Sequence, residues 1–199
     1  KKSKYAMYLN FNMIKSVTKG SSDLIADLLD ATFLNETGRQ PVETQIDFKQ
    51  LIESRITSFQ LAAEVKSIKI EFEESIQNSF YSVSDYWNRI IDNLISNAIK
   101  FSERNSNVFV YGATEEGYAI VRIKDQGPGF TEEDHKSIFQ RFKRLSARPT
   151  GGESSNGLGL AIVKTLVDRL HGTIELKSKP GEGAEFVVKI PVGKTTPIK

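Results

Sequence analysis

At 199 residues the chain is long enough for one large domain, or for a compact domain with an accessory element, and it can bury a substantial core. Hydrophobic residues make up 39% and charged residues 26%, and 27 basic against 25 acidic side chains leave a net charge of +2, so the balance points to no nucleic-acid or membrane surface. The absence of cysteine excludes disulfides, thiol nucleophiles and cysteine-held metals and fits a reducing compartment, and no apolar run approaches the roughly 20 residues of a membrane helix.

The opening KKSKYAMYLNFNM is polar and reads as an internal cut through a longer protein, not as a signal peptide. From about Tyr5 to Asn35, Leu9, Met13, Val17, Leu24, Leu28 and Ala31 recur at steps of three, four and seven residues, which predicts one long amphipathic helix. Such a stripe needs covering, and pairing with another helix, from a second chain or from upstream, is the expectation. Gly38 to Pro41 ends that helix and sets a boundary near residue 40, dividing 1–40 from 41–199.

Asp47 then caps a helix running to about Val65. Ile68, Ile70 and Phe72 alternate with Lys69 and Glu71 as a half-buried strand, and Ser84 or Asp85 caps a helix that ends near Phe101. Val108 to Ala113 and Tyr118 to Lys124 form a hairpin around TEEG. Thr131, followed by three acids, starts a short helix containing Ile138 and Phe139. Arg144 to Asn156 is aperiodic and polar and predicts a mobile loop. Gly157 opens a periodic helix stopped by His171-Gly172, and strands Thr173 to Ser178 and Ala184 to Ile190 flank PGEG. Helices and hairpins interleave without a regular βαβ repeat, so the expected class is α+β: a two-layer sandwich, a mixed sheet with helices on one face.

Four stretches carry polar groups that packing does not require. In Asn93 to Phe101 (NLISNAIKF), Asn93, Asn97 and Lys100 share one helical stripe. Amide oxygens are hard ligands suited to Mg2+, and a lysine one turn on can meet a phosphate; buried asparagines also simply bond their neighbours. Asp125 to Gly129 (DQGPG) puts a carboxylate at a strand end beside glycines that admit a flat ligand, and adenine offers the amino group such a carboxylate accepts; an ordinary turn has the same composition. Gly157-Leu158-Gly159 stands at a helix start, where exposed amides attract anions, yet neither a P-loop nor a GxGxxG after a strand is present. In IFQRFKRL, Phe139 and Phe142 lie three apart, with Phe139 expected in the core, and Arg141 can reach a terminal phosphate as the loop closes.

Taken in order, NLxxNAxKF, DxGPGF, FxRF, a polar lid running into GLGLAIVK, and GxGxxF at Gly181 to Phe186 resemble the ATP-binding domain of sensor histidine kinases, in the GHKL superfamily with the Bergerat fold. The motifs correspond to that family's N, G1, F, G2 and G3 boxes. Upstream, SSDLIADLLDATFLNETGRQPVE looks like the second helix of the dimerisation and phosphoacceptor domain and its linker. The gyrase, Hsp90 and mismatch-repair ATPases share the first two motifs but not FxRF or the preceding helix. The resemblance implies a mixed sheet under three helices. It implies that Asn93 and Asn97 hold Mg2+, that Lys100 and Arg141 contact ATP phosphates and that Phe101 lines the pocket. Asp125 would bind the adenine amino group, with Gly127 and Gly129 as the pocket wall. Gly157, Leu158 and Gly159 would support the lid and phosphates, and Gly181 and Gly183 the last turn. Implied partners are a second copy through the N-terminal helix and a response regulator receiver domain, with no nucleic acid, and the place of action is a cytoplasmic domain.

The chain departs from that pattern in two places. Its only histidines, His135 and His171, lie on no dimerisation helix and read as structural or exposed, so the phosphoacceptor is expected on another segment. Ser155 replaces the first glycine of GxGLG, which predicts a stiffer lid. Two functions fit: the catalytic region of a histidine kinase, or a non-catalytic ATP-binding module that dimerises and regulates a partner.

Overall fold

The computed structural model describes residues 41–143, 145–151, 157–192 and 196–197. The expected helix Tyr5–Asn35, the boundary near residue 40 and Ser155 lie outside the described residues. Strand β1 (Thr44–Ile46) leads into helix α1 (Phe48–Val65), whose first turn is held by the Asp47 carboxylate accepting from the Gln50 amide. Then come β2 (Lys69–Ser75), β3 (Asn78–Ser82) and α2 (Ser84–Phe101).

Neither Ser84 nor Asp85 caps α2. The helix follows β3 directly, so both residues already lie in its first turn and the buried Val83 stands at the cap with no side-chain bond. Asp85 still supplies an acid at the positive end of the dipole. The hairpin β4 (Asn107–Glu115) and β5 (Tyr118–Lys124) turns on Glu116 and Gly117, with φ of 49° and 81°, the sign a tight primed turn requires.

Helix α3 (Glu132–His135) is shorter than expected. A reciprocal capping box joins Thr131 and Asp134, but the chain then continues in three-residue turns, with the Ser137 amide on the Asp134 carbonyl and the Gln140 amide on that of Ser137. Ile138 is therefore buried outside a helix and Phe139 half-buried against the core, while Phe142, at φ 58°, is 65% exposed rather than stacked on the same face.

Helix α4 (Gly159–Arg169) begins two residues after the expected Gly157, whose φ of 68° lies outside the right-handed helix. It ends as the sequence indicates: His171 takes φ 56°, and the Gly172 amide closes on the Val167 carbonyl at 2.9 Å. Strands β6 (Thr173–Ser178), β7 (Ala184–Pro191) and β8 (Thr196–Pro197) complete the order.

Five strands form a mixed sheet in the order β2-β4-β5-β7-β6, parallel only between β2 and β4. A second, three-stranded sheet, β1-β3-β8, is antiparallel. Val108 and Val110, Val121 and Ile123, and Phe186, Val188 and Ile190 share one core with the apolar stripes of the helices. Helix α2 lies between α1 and α4, contacting both. Phe48, Phe80 and Trp87 join α1, β3 and α2, with ring centroids 4.8 to 5.9 Å apart. This layer holds α2 by its apolar side and leaves Asn93 facing Gly159 at the start of α4.

Candidate functional site

Asn93, Asn97 and Lys100 are half-buried along α2 while Leu94, Ile95, Ala98 and Ile99 between them are buried. The Asn93 amide nitrogen donates to the Arg89 carbonyl at 2.9 Å, which fixes the side chain and leaves its oxygen toward α4. A Cβ placed on Gly159 would sit 2.6 Å from that oxygen, so the two motifs meet across the helix pair. Among the described residues no group of three His, Cys, Asp or Glu could hold a metal. A divalent cation here would depend on amide oxygens and on a ligand's own phosphates, a donor set that suits Mg2+.

At the other end of α2, Phe101 is half-buried and its carbonyl lies against Gly127, 2.8 Å from where a Cβ would be. Asp125 is 6% exposed. Its Oδ1 accepts from the Gly127 amide at 2.8 Å and the Ala184 amide at 3.2 Å. Burial pushes the carboxyl up to about 6 although both amides favour the ionised form. Both backbone bonds use one oxygen, leaving Oδ2 to accept from a ligand.

Gly129 and Gly183 close the wall: both have positive φ, and Cβ atoms there would fall 2.0 Å from the Lys179 carbonyl oxygen and 2.1 Å from that of Asp125. No side chain fits either position. Gly181, also at positive φ, donates its amide to the Pro128 carbonyl. Phe130 packs edge-on to Phe186, and Ser178 links the Phe130 amide to the Gly183 carbonyl.

The G2 and F motifs also touch. The Phe142 amide donates to the Gly157 carbonyl at 3.0 Å, and a Cβ on Gly157 would meet the Lys143 carbonyl at 2.7 Å. Arg141, exposed, is thereby held beside the entry to α4, where Leu158 is buried as a packing anchor. Residues 144 and 152–156 of the loop lie outside the described residues, while Ser146 and Thr150 bond to the body. Burial pushes the Asp134 carboxyl up, yet bonds from Ser146 and Thr131 outweigh it and hold it near 2. Thr150 is bonded to the end of α2. Ser146 and Thr150 thus bond this part of the loop to the body of the domain. Sequence reasoning missed Lys66, Ser146, Thr150 and Ser178, none of which belongs to a spaced motif. His135 and His171 are exposed at the ends of α3 and α4.

Residues 83–194 match the family described as histidine kinase-, DNA gyrase B-, and HSP90-like ATPase. The chain is similar to the sensor-like histidine kinase SenX3 of Mycobacterium tuberculosis, 31% identical over 172 residues, covering 85% of this chain and 41% of that protein. It thus spans about two fifths of the length of the SenX3 relatives it matches. Full-length ShkA, solved in complex with AMPPNP, shares the fold with a TM-score of 0.75 at 24% identity, over 88% of this chain and 36% of that one. The histidine kinase AdeS of Acinetobacter baumannii does so with a TM-score of 0.73 at 23% identity, over 92% and 84%. Among the described residues no helix is long and apolar enough to cross a membrane.

Proposed function

Because the chain belongs to the histidine kinase-, DNA gyrase B- and HSP90-like ATPase family, we propose that it binds ATP with Mg2+ between α2 and α4 and presents the γ-phosphoryl group to a histidine on a dimerisation domain. The observation that carries this reading is Asp125, a buried carboxylate with one oxygen held by two backbone amides and the other available to an exocyclic amino group. Asn93 and Asn97 supply amide oxygens for Mg2+, which neutralises phosphate charge when bound. Lys100 and Arg141 meet phosphate oxygens, and Phe101, Gly127 and Gly129 shape the nucleotide slot. Gly157, Leu158 and Gly159 offer amides at the start of α4. The chain's task is to position and neutralise the group being transferred, with the nucleophile supplied from outside 41–199.

In the same reading residues 1–40 belong to the dimerisation domain, the working unit is a cytoplasmic homodimer, and the phosphoryl group passes on to a response regulator receiver domain. A thermal-shift titration with Mg-ATP tests the binding step. At about 100 times its dissociation constant the ligand should add about 2.7 kcal/mol of stability. No shift, with Asn97→Ala indistinguishable from the parent, would sink the proposal. Labelled ATP with a histidine-bearing dimerisation fragment tests transfer; acid-labile label on that fragment is expected, and its absence would leave only a nucleotide-binding module.

A further inference from the structure

Lys66 is 5% exposed, at the end of α1 and far in sequence from every motif of the ATP site. Its ammonium donates to the Ile99 carbonyl at 2.8 Å, the Lys100 carbonyl at 3.0 Å and the Thr150 hydroxyl at 2.7 Å. The first two are terminal carbonyls of α2, groups that a helix leaves without an intrahelical donor. A cation there also complements the negative end of the dipole. The third acceptor belongs to the loop that leads to Gly157. Thr150 is bound a second and third time to the same helix end, its amide to the Lys100 carbonyl at 3.0 Å and its hydroxyl to the Ser102 carbonyl at 2.5 Å. One buried ammonium thus ties together the last turn of α2, which carries Lys100, and the described half of the lid.

The geometry points to Lys66 as a positioning residue for phosphate binding: through Thr150 and the α2 carbonyls it holds the lid base and the Lys100 turn in the arrangement that receives the ATP phosphates. Lys66 itself touches no ligand. Without it the Ile99 and Lys100 carbonyls lose a charged donor, the turn frays, and Thr150 loses its donor to the hydroxyl. Because the node lies beside Lys100, its loss should be felt by the phosphates more than by the base.

The inference rests on the ATP-binding reading, and the test keeps the two apart. Dissociation constants for Mg-ATP and for adenosine, which has no phosphates, are measured by calorimetry on the full chain and on Lys66→Met, Thr150→Val and Thr150→Ser, each checked for folding by circular dichroism. The expected result is that Lys66→Met and Thr150→Val weaken Mg-ATP by about tenfold, equivalent to about 1.4 kcal/mol, while adenosine binding changes less than about twofold. Thr150→Ser, which keeps the hydroxyl, should bind like the parent, and the Lys66→Met/Thr150→Val double variant should lose less than the sum of the two single losses, little more than either alone, because the shared interaction is lost only once. Equal losses for ATP and adenosine, or additive losses in the double variant, would overturn the role of Lys66. If Lys66→Met does not fold, unchanged Mg-ATP affinity in Thr150→Val overturns it. A parent chain that binds no Mg-ATP refutes the function proposed above instead.

Discussion

Asp125 is the residue on which pH should act. Burial raises its carboxyl to about 6 from the ordinary 3.8, and the ionised form is the stronger acceptor for an amino group. Nucleotide affinity is therefore expected to fall as pH drops through 6, read by calorimetry at pH 5.5 and 7.5; a flat profile would contradict the assignment. Folding stability responds to pH in the opposite direction. The folded state holds this proton more tightly than the unfolded chain, so Asp125 makes stability decline as pH rises from about 4 to about 6. Asp125→Asn should weaken ATP by tenfold or more, since a donor replaces the acceptor at a cost of about 1–3 kcal/mol. Without nucleotide the same variant should be no less stable than the parent at pH 7, because an amide oxygen can still accept from Gly127 and Ala184. The motif DQGPG made Asp125 legible as an acceptor; its two amide partners were not, because Ala184 lies 59 residues on and reaches it only through β5–β7 pairing.

Element boundaries decide how the motifs meet. A Cβ on Gly159 would approach the Asn93 oxygen to 2.6 Å, and that atom is the movable end of a side chain. Gly159→Ala should therefore keep the fold, gaining about 1 kcal/mol of helix propensity against the contact, yet displace Asn93. The expected outcome is weaker Mg-ATP binding with little change in the urea midpoint of the free protein; unaltered affinity would mean that Asn93 is not a ligand. Between α1 and β2, Ser67 takes φ 55°, a region that disfavours residues with a Cβ. Ser67→Gly is predicted to stabilise the chain by about 0.5–1 kcal/mol in urea denaturation, and a loss of stability would contradict that strain. Helices α1, α2 and α4, the β4–β5 hairpin and strands β6 and β7 were legible because period and turn residues act locally. The end of α3 was not, because bonds to Ser146 and Gly157, outside the local pattern, turn the chain there.

At the scale of the molecule, the three-stranded sheet and the Phe48–Phe80–Trp87 cluster hold the start of α2, with Trp87 Nε1 donating to Ser82 Oγ at 3.1 Å. Phe80→Ala should cost about 3–5 kcal/mol of unfolding free energy, although Phe80 belongs to no nucleotide motif; a loss below 1 kcal/mol would show that the cluster adds little. The strands that carry this sheet left no sequence signal. β1 has three residues and pairs Thr44 with Ser82 and Ile46 with Phe80, so its order comes from a partner more than thirty residues away. The class, helices α1, α2 and α4 and the four motif-bearing stretches could be read from the sequence, because side-chain period, glycine and charge act within a few residues. Only the tertiary structure decided that Asn93 faces Gly159, that Phe101 backs Gly127, and that Lys66 closes the end of α2 against Thr150. Those contacts depend on which backbone groups are buried together, and burial belongs to the packed layers rather than to any one stretch of chain.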